Sequence, residues 1–105
     1  MAVTVKISNG GTVSTAADFH STVFSGIVLP AAFSGATITF QASADGVTYQ
    51  TLYNDSNTAI TITVTQARTY AFKADLMNQL GAWRFVKVVS AGAEGADRYI
   101  VLWAR

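Results

Sequence analysis

The feature that most constrains this chain is a hydrophobic period of two. Val3, Val5 and Ile7 alternate with Thr4 and Lys6. Ile38, Phe40 and Ala42 alternate with Thr37, Thr39 and Gln41. Ile60, Ile62 and Val64 alternate with Thr61, Thr63 and Thr65. Successive side chains of a strand point to opposite faces, so each run presents one apolar and one polar face. The β-branched residues that dominate these runs fit a pleated, half-buried surface.

Turn chemistry separates the runs. Asn9-Gly10-Gly11 and Ala44-Asp45-Gly46 supply residues that tolerate positive φ. The second predicts a hairpin between strands at 37–43 and 47–53. Asn54-Asp55-Ser56-Asn57 reads as a polar loop before a strand at 59–65. The run Ala91-Gly92-Ala93-Glu94-Gly95-Ala96 separates strands at 83–90 and 98–104. About eight short strands with turns every 8–12 residues predict a single β domain over 1–105, a sandwich or a barrel. Residues 1–8 are expected to form an N-terminal edge strand or an arm. One short helical turn is expected at 74–81, where Leu76, Met77 and Leu80 cluster and Gly81 supplies a stop. It is read as a cap over one end of the sandwich. Residues 12–21 carry no clear pattern beyond an extended edge segment.

The last two strands are apolar on both sides. Trp83, Phe85 and Val89 share a face with Lys87, opposite Val86 and Val88. Tyr99, Val101 and Trp103 alternate with Ile100, Leu102 and Ala104. Burial on both faces implies a central strand, or an outer face covered by another molecule. Trp83, Phe85 and Trp103 are expected in the core. Tyr49 and Tyr53 suit a core or an interface equally, because Tyr joins an apolar ring to a polar tip.

Composition enters through charge. Only 12% of residues are Asp, Glu, Lys or Arg, against about 25% in a typical soluble domain. The net charge is +1 and the basic residues are scattered, so the concentrated basic face that nucleic-acid binding needs is missing. A neutral surface offers little repulsion between copies. It suits a neutral monomer or a surface buried in an assembly. With no cysteine there is no disulfide framework or thiolate metal site. No basic stretch followed by an apolar block opens the chain, so no signal peptide is expected. The apolar segment from Gly26 to Phe33 is shorter than the roughly 20 residues a membrane helix requires.

No residues are assigned to catalysis, cofactor binding or metal ligation. The single histidine, His20, lies beside Asp18 and Ser21. Adjacency in sequence does not build a triad, and nothing near it resembles a nucleophile elbow. Asp45 and Asp55 suit turns, and Asp75 suits a helix start. An enzyme is therefore not expected.

A resemblance adds context. Gly26-Ile-Val-Leu-Pro-Ala-Ala-Phe33, Ile38-Thr-Phe-Gln-Ala-Ser-Ala-Asp-Gly-Val-Thr-Tyr-Gln-Thr-Leu-Tyr53 and Gly81-Ala-Trp-Arg-Phe-Val-Lys87 are similar to small structural proteins of tailed bacteriophages and prophages. The similarity covers most of 22–104. It implies a virion component made in the bacterial host's cytoplasm, with the major capsid protein or other virion proteins as partners, many copies or a homo-oligomer, and no catalytic residues. A capsid decoration or cement protein that stabilises the head shell leads; a tail, neck or fibre-base component is the alternative. The same segments resemble, more distantly, discoidin-type jelly-roll modules, many of which bind sugars or lipid head groups. That likeness implies an antiparallel, jelly-roll-like β-sandwich before it implies a ligand; a glycan-binding module for host attachment, with Asp45, Tyr49, Tyr53 and Asn54 as the interaction residues, is the further alternative.

Overall fold

The computed structural model describes all 105 residues, Met1–Arg105. Its strands are β1 (Ala2–Ile7), β2 (Ala17–Asp18), β3 (Phe24–Val28), β4 (Thr37–Ser43), β5 (Gln50–Thr51), β6 (Thr61–Thr63), β7 (Thr69–Ala71), β8 (Phe85–Ser90) and β9 (Arg98–Ala104). One helix, α1 (Ala74–Leu80), lies between β7 and β8.

The strands form two antiparallel sheets. The four-stranded sheet runs β1-β9-β3-β7, and the five-stranded sheet runs β2-β8-β4-β5, with β6 also paired to β4. β1 is thus an edge strand. Because β5 and β6 flank the same side of β4, they act as one interrupted strand. Counted that way the pairs are first with last, second with second-last, and so inwards. This is one long hairpin folded over on itself, the jelly-roll connectivity. The sheet-to-sheet crossings between consecutive strands follow from it.

The alternation seen in the sequence sets the core. Ile38, Phe40 and Ala42 from β4 face Val86 and Val88 from β8 and join Val5, Ile7, Ile27, Ile100 and Leu102 across the sandwich, all buried. Phe24 is the aromatic hub. Its ring stacks on Phe19 at 4.9 Å between centroids, and meets Phe72 at 5.0 Å and Phe40 at 5.9 Å edge-on. Those offset and edge-on geometries are the favoured ones for aromatic quadrupoles. α1 buries Leu80 and sets Leu76 against the core. Gly81 follows it in a right-handed conformation (φ −68°), so the helix stops without a left-handed cap.

Several expectations need correction. The strand foreseen at 47–53 shrinks to Gln50–Thr51, with an isolated bridge between Tyr53 and Ala59. Asp45 is the reason: its Oδ1 accepts the backbone N–H groups of Val47 (2.8 Å) and Thr48 (3.0 Å), so neither can pair with β4. Val47 is left 82% exposed. The strand foreseen at 83–90 starts at Phe85, and Trp83 lies in the turn that follows α1. Residues 12–21 contain β2, which pairs with β8 at the sheet edge.

The expected core aromatics are also displaced. Trp83 and Trp103 are 39% and 51% exposed, and Phe85 is only half-buried. Alternation fixes which residues share a face. It does not choose the inner face when both faces are apolar. In β9 the inner positions go to Ile100, Leu102 and Ala104, each fully buried.

Phe24→Ala should lower unfolding free energy by about 3–5 kcal/mol, whereas Trp103→Ala should change it by less than about 1 kcal/mol. Urea denaturation of both variants measures the contrast.

Candidate functional site

The two sheets differ in how their outer faces are finished. On the five-stranded sheet, Phe85, Lys87 and Val89 point outward but are all half-buried. Their cover comes from the chain itself. The Arg84 guanidinium lies 4.9 Å from the centre of the Phe85 ring, the Lys87 ammonium lies 4.3 Å from that of Tyr49, and Val13 bridges to Val89. Gly46 (φ +80°) packs on Phe85 so closely that a Cβ there would stand 3.3 Å from the ring.

The four-stranded sheet has no such cover. Tyr99, Val101 and Trp103 form a stripe along β9, with Tyr99 and Trp103 58% and 51% exposed. The register sets Ala2, Thr4 and Lys6 of β1 beside them on one flank. Gly26 and Val28 of β3 stand on the other, next to Trp103 and Val101. Gly26 is fixed by backbone packing, since a Cβ there would come within 2.8 Å of the Tyr70 carbonyl oxygen. The bare backbone at Gly26 leaves Trp103 without a neighbour of comparable size on that side.

Lys6 is the one charged side chain at these outward strand positions, and its ammonium lies 3.5 Å from Asp97. Aromatic side chains at the centre with charge pushed to the rim are the composition of an interface core. With strands about 4.8 Å apart and a rise of about 3.3 Å per residue, the face has a footprint of roughly 450 Å² at most. A stable pairwise complex buries about 800 Å² per partner. This face suits one contact among many.

The residues singled out from the sequence do not form one site. Asp45 and Asn54 shape their own turns. The Asp45 carboxylate accepts hydrogen bonds from Thr48, Val47 and the Ser43 hydroxyl, which hold its pKa down to about 2. Asn54 Oδ1 accepts from the Ser56 and Thr58 N–H groups at 2.9 and 3.0 Å. Asp45 borders a recess of about 300 Å³ beside Trp83, and Asn54 borders a separate groove of about 650 Å³. Tyr49 is half-buried against Lys87, and Tyr53 is 54% exposed.

The larger groove lies between β6, β7 and α1. Ile60, Ile62, Tyr70, Phe72 and Leu76 contribute its apolar lining, and Asn54, Lys73, Asp75 and Gln79 its polar rim. Asp18, His20 and Arg84 make a further polar cluster. Arg84 grips Asp18 through two hydrogen bonds (2.8 and 3.0 Å), holding the carboxylate at about 2, and Arg84 Nη2 lies 3.2 Å from His20 Nε2. His20 adopts a left-handed φ of 54°, and its own N–H donates to Asp18 Oδ1. Ser21 does not hydrogen bond to His20, so the Asp-His-Ser neighbours do not build a nucleophile. No three His, Cys, Asp or Glu side chains gather where they would hold a metal ion. No helix is long and apolar enough to cross a membrane.

Sequence reasoning missed Glu94, which reads as part of a Gly/Ala linker. Its carboxylate is fully buried. Oε1 accepts from the Ser34 N–H (2.9 Å) and Arg98 Nε (3.0 Å), and Oε2 accepts from the Ser90 hydroxyl (2.9 Å). Its backbone bonds to Gly10 and Gly11. One residue therefore ties together the loops after β1, β3 and β8. An acidic residue amid small residues, four positions before an arginine, was the available signal.

No protein-family model matches the chain, and no curated protein sequence matches it.

Burial pushes the Glu94 carboxyl up, but the hydrogen bonds from Ser34, Arg98 and Ser90 outweigh it, and its pKa is lowered overall. A carboxyl with a lowered folded pKa stabilises the fold above its unfolded pKa, and that contribution fades as pH falls through the folded value. Glu94→Gln should cost about 1–3 kcal/mol at pH 7. The difference from wild type should shrink in acid, as read by urea unfolding across pH.

Proposed function

We propose that the protein is a structural component of a tailed-bacteriophage virion, a capsid decoration or cement protein that stabilises the head shell through protein–protein contacts. The observation that carries the reading is the uncovered outer face of the four-stranded sheet. Its aromatic stripe, Tyr99–Val101–Trp103, is bare although β9 is flanked on both sides. Contiguous apolar surface of this kind marks an interaction site.

Three further points support it. The footprint is about half what a stable pairwise complex uses, which fits a protein whose weak contacts are summed over many copies on a shell. The chain's low charge, 12% of residues, lets copies stand close together. The segments 26–33, 38–53 and 81–87 resemble phage structural proteins. The partner is then the major capsid protein, or another virion protein with a regular apolar surface, and the location is the particle.

Quantitative mass spectrometry of purified virions tests the reading through copy number. A decoration protein should approach the abundance of the major capsid protein, in a ratio set by the shell's symmetry. A handful of copies would replace the shell role with one in the tail, neck or fibre base, and none would overturn the virion assignment. The double variant Tyr99→Ala/Trp103→Ala should remain folded and bind particles lacking the protein at least about 30-fold more weakly, the loss expected for central aromatic anchors.

A further inference from the structure

The groove between β6 and β7 is bordered by two strand edges that nothing in the chain pairs. In β7, Tyr70 is opposite Ile27. The Phe72 N–H donates to Ser25 and the Arg68 carbonyl accepts from Leu29, so residues 68, 70 and 72 turn their backbone groups towards β3. In an antiparallel ladder the intervening residues point the other way. The N–H and C=O groups of Thr69 and Ala71 therefore face away from the sheet, with Ala71 in the groove wall and Thr69 at its end, next to Tyr70. The same parity holds in β6, where Val64 bonds to Ala36 and Ile60 to Leu52, leaving Thr61 and Thr63 outward.

We propose that this groove receives an extended segment of another polypeptide, which adds to β7 as a fifth strand of the four-stranded sheet. Its backbone would complete the hydrogen bonds at Thr69 and Ala71. Its inward side chains would rest on Ile62, Tyr70 and Phe72, which are only half-buried although they pack against the core. The inserted segment therefore alternates apolar and polar residues and is about four to six residues long, to match the length of β7.

The edge strands are short and β7 is flanked by Arg68 and Lys73, but no blocking side chain sits within either strand. Neither β6 (Thr-Ile-Thr) nor β7 (Thr-Tyr-Ala) carries a lysine or a proline, the residues that commonly block strand addition. β1, the opposite edge of the same sheet, is guarded: the Thr15 N–H donates to the Lys6 carbonyl, and the Lys6 N–H donates to Thr15 Oγ1. A groove of about 650 Å³ beneath β7 also gives the added side chains somewhere to go. The inference stands on the groove alone and does not require the Trp103 face to dock anywhere.

The test extends the full chain beyond Arg105 with a flexible Gly/Ser linker and the segment Lys-Val-Thr-Val-Thr-Val-Lys. Tethering holds the segment at an effective concentration in the millimolar range, so weak pairing that depends on backbone rather than sequence is still detected. Amide hydrogen exchange is read at Thr69 and Ala71, with Tyr70, already bonded within the sheet, as internal reference. The proposal expects at least tenfold slower exchange at Thr69 and Ala71, and no slowing when prolines replace the segment's threonines. Unchanged exchange at both amides would overturn it, as would protection confined to β1. Free monosaccharides are added to the unextended chain as a second arm. Shifts at Asn54, Lys73 and Gln79 with sugar, without protection by the tethered strand, would make the groove a sugar site and discard the strand.

Discussion

Strand β9 carries the constraint on which the other elements depend. It lies between β1 and β3, so both of its edges are hydrogen-bonded over most of its length. Its inner side chains, Ile100, Leu102 and Ala104, are completely buried. Slipping the register by one residue would bring Tyr99, Val101 and Trp103 inward instead. The two-residue period would still be satisfied, but two large aromatic rings would enter a core already filled by Phe19, Phe24 and Phe40. Close-packed interiors do not absorb that volume without strain. The outward position of Trp103 is thus a packing consequence, and the bare aromatic face follows from it.

The nested hairpin makes this arrangement self-consistent. Each strand of the first half pairs with its counterpart in the second half, so the first and last strands meet and the terminal Met1 ammonium bonds to the Ala104 carbonyl at 2.8 Å. Such a chain depends on long-range contacts, and its loops must be held in place where consecutive strands cross between sheets. Glu94 does this at one end without a disulfide. A buried carboxylate is tolerated because every lone-pair direction it uses meets a donor: a backbone N–H, a hydroxyl and a guanidinium. At the other end of the chemistry, Asp45 and Asn54 spend their side-chain oxygens on local N–H groups. That is why they define turns rather than a shared binding site.

Much of the fold was legible because alternation with one polar face leaves no choice. Ile38, Phe40 and Ala42, and Ile60 and Val64, could only point inward, and they do. The helix at 74–80 was visible from the spacing of Leu76, Met77 and Leu80. What was not legible has a common cause. Where both faces are apolar, as in β9, the pattern gives parity without direction. Where a side chain competes for backbone N–H groups, as Asp45 does, propensity overstates the strand. Glu94 was hidden because its partners, Ser34, Ser90 and Arg98, come together only through tertiary structure. The candidate residues Asp45, Tyr49, Tyr53 and Asn54 share one stretch of sequence, yet Asp45 and Asn54 border different concavities and Tyr49 and Tyr53 border neither. The bare outer face of the four-stranded sheet was present in the sequence as an anomaly, a final strand too apolar on both sides.

The outer face of the four-stranded sheet is bare in the isolated protein, and the proposed virion role requires that it be covered in the particle. Hydroxyl-radical footprinting, comparing the free protein with purified particles, addresses that requirement directly. Tyr99 and Tyr53 are nearly equally exposed, at 58% and 54%, and belong to different sheet systems, so Tyr53 serves as the reference. Tyr99 and Trp103 should be oxidised readily in the free protein and protected severalfold in particles, with Tyr53 unchanged. Equal reactivity of Tyr99 and Trp103 in both states would contradict the proposed role.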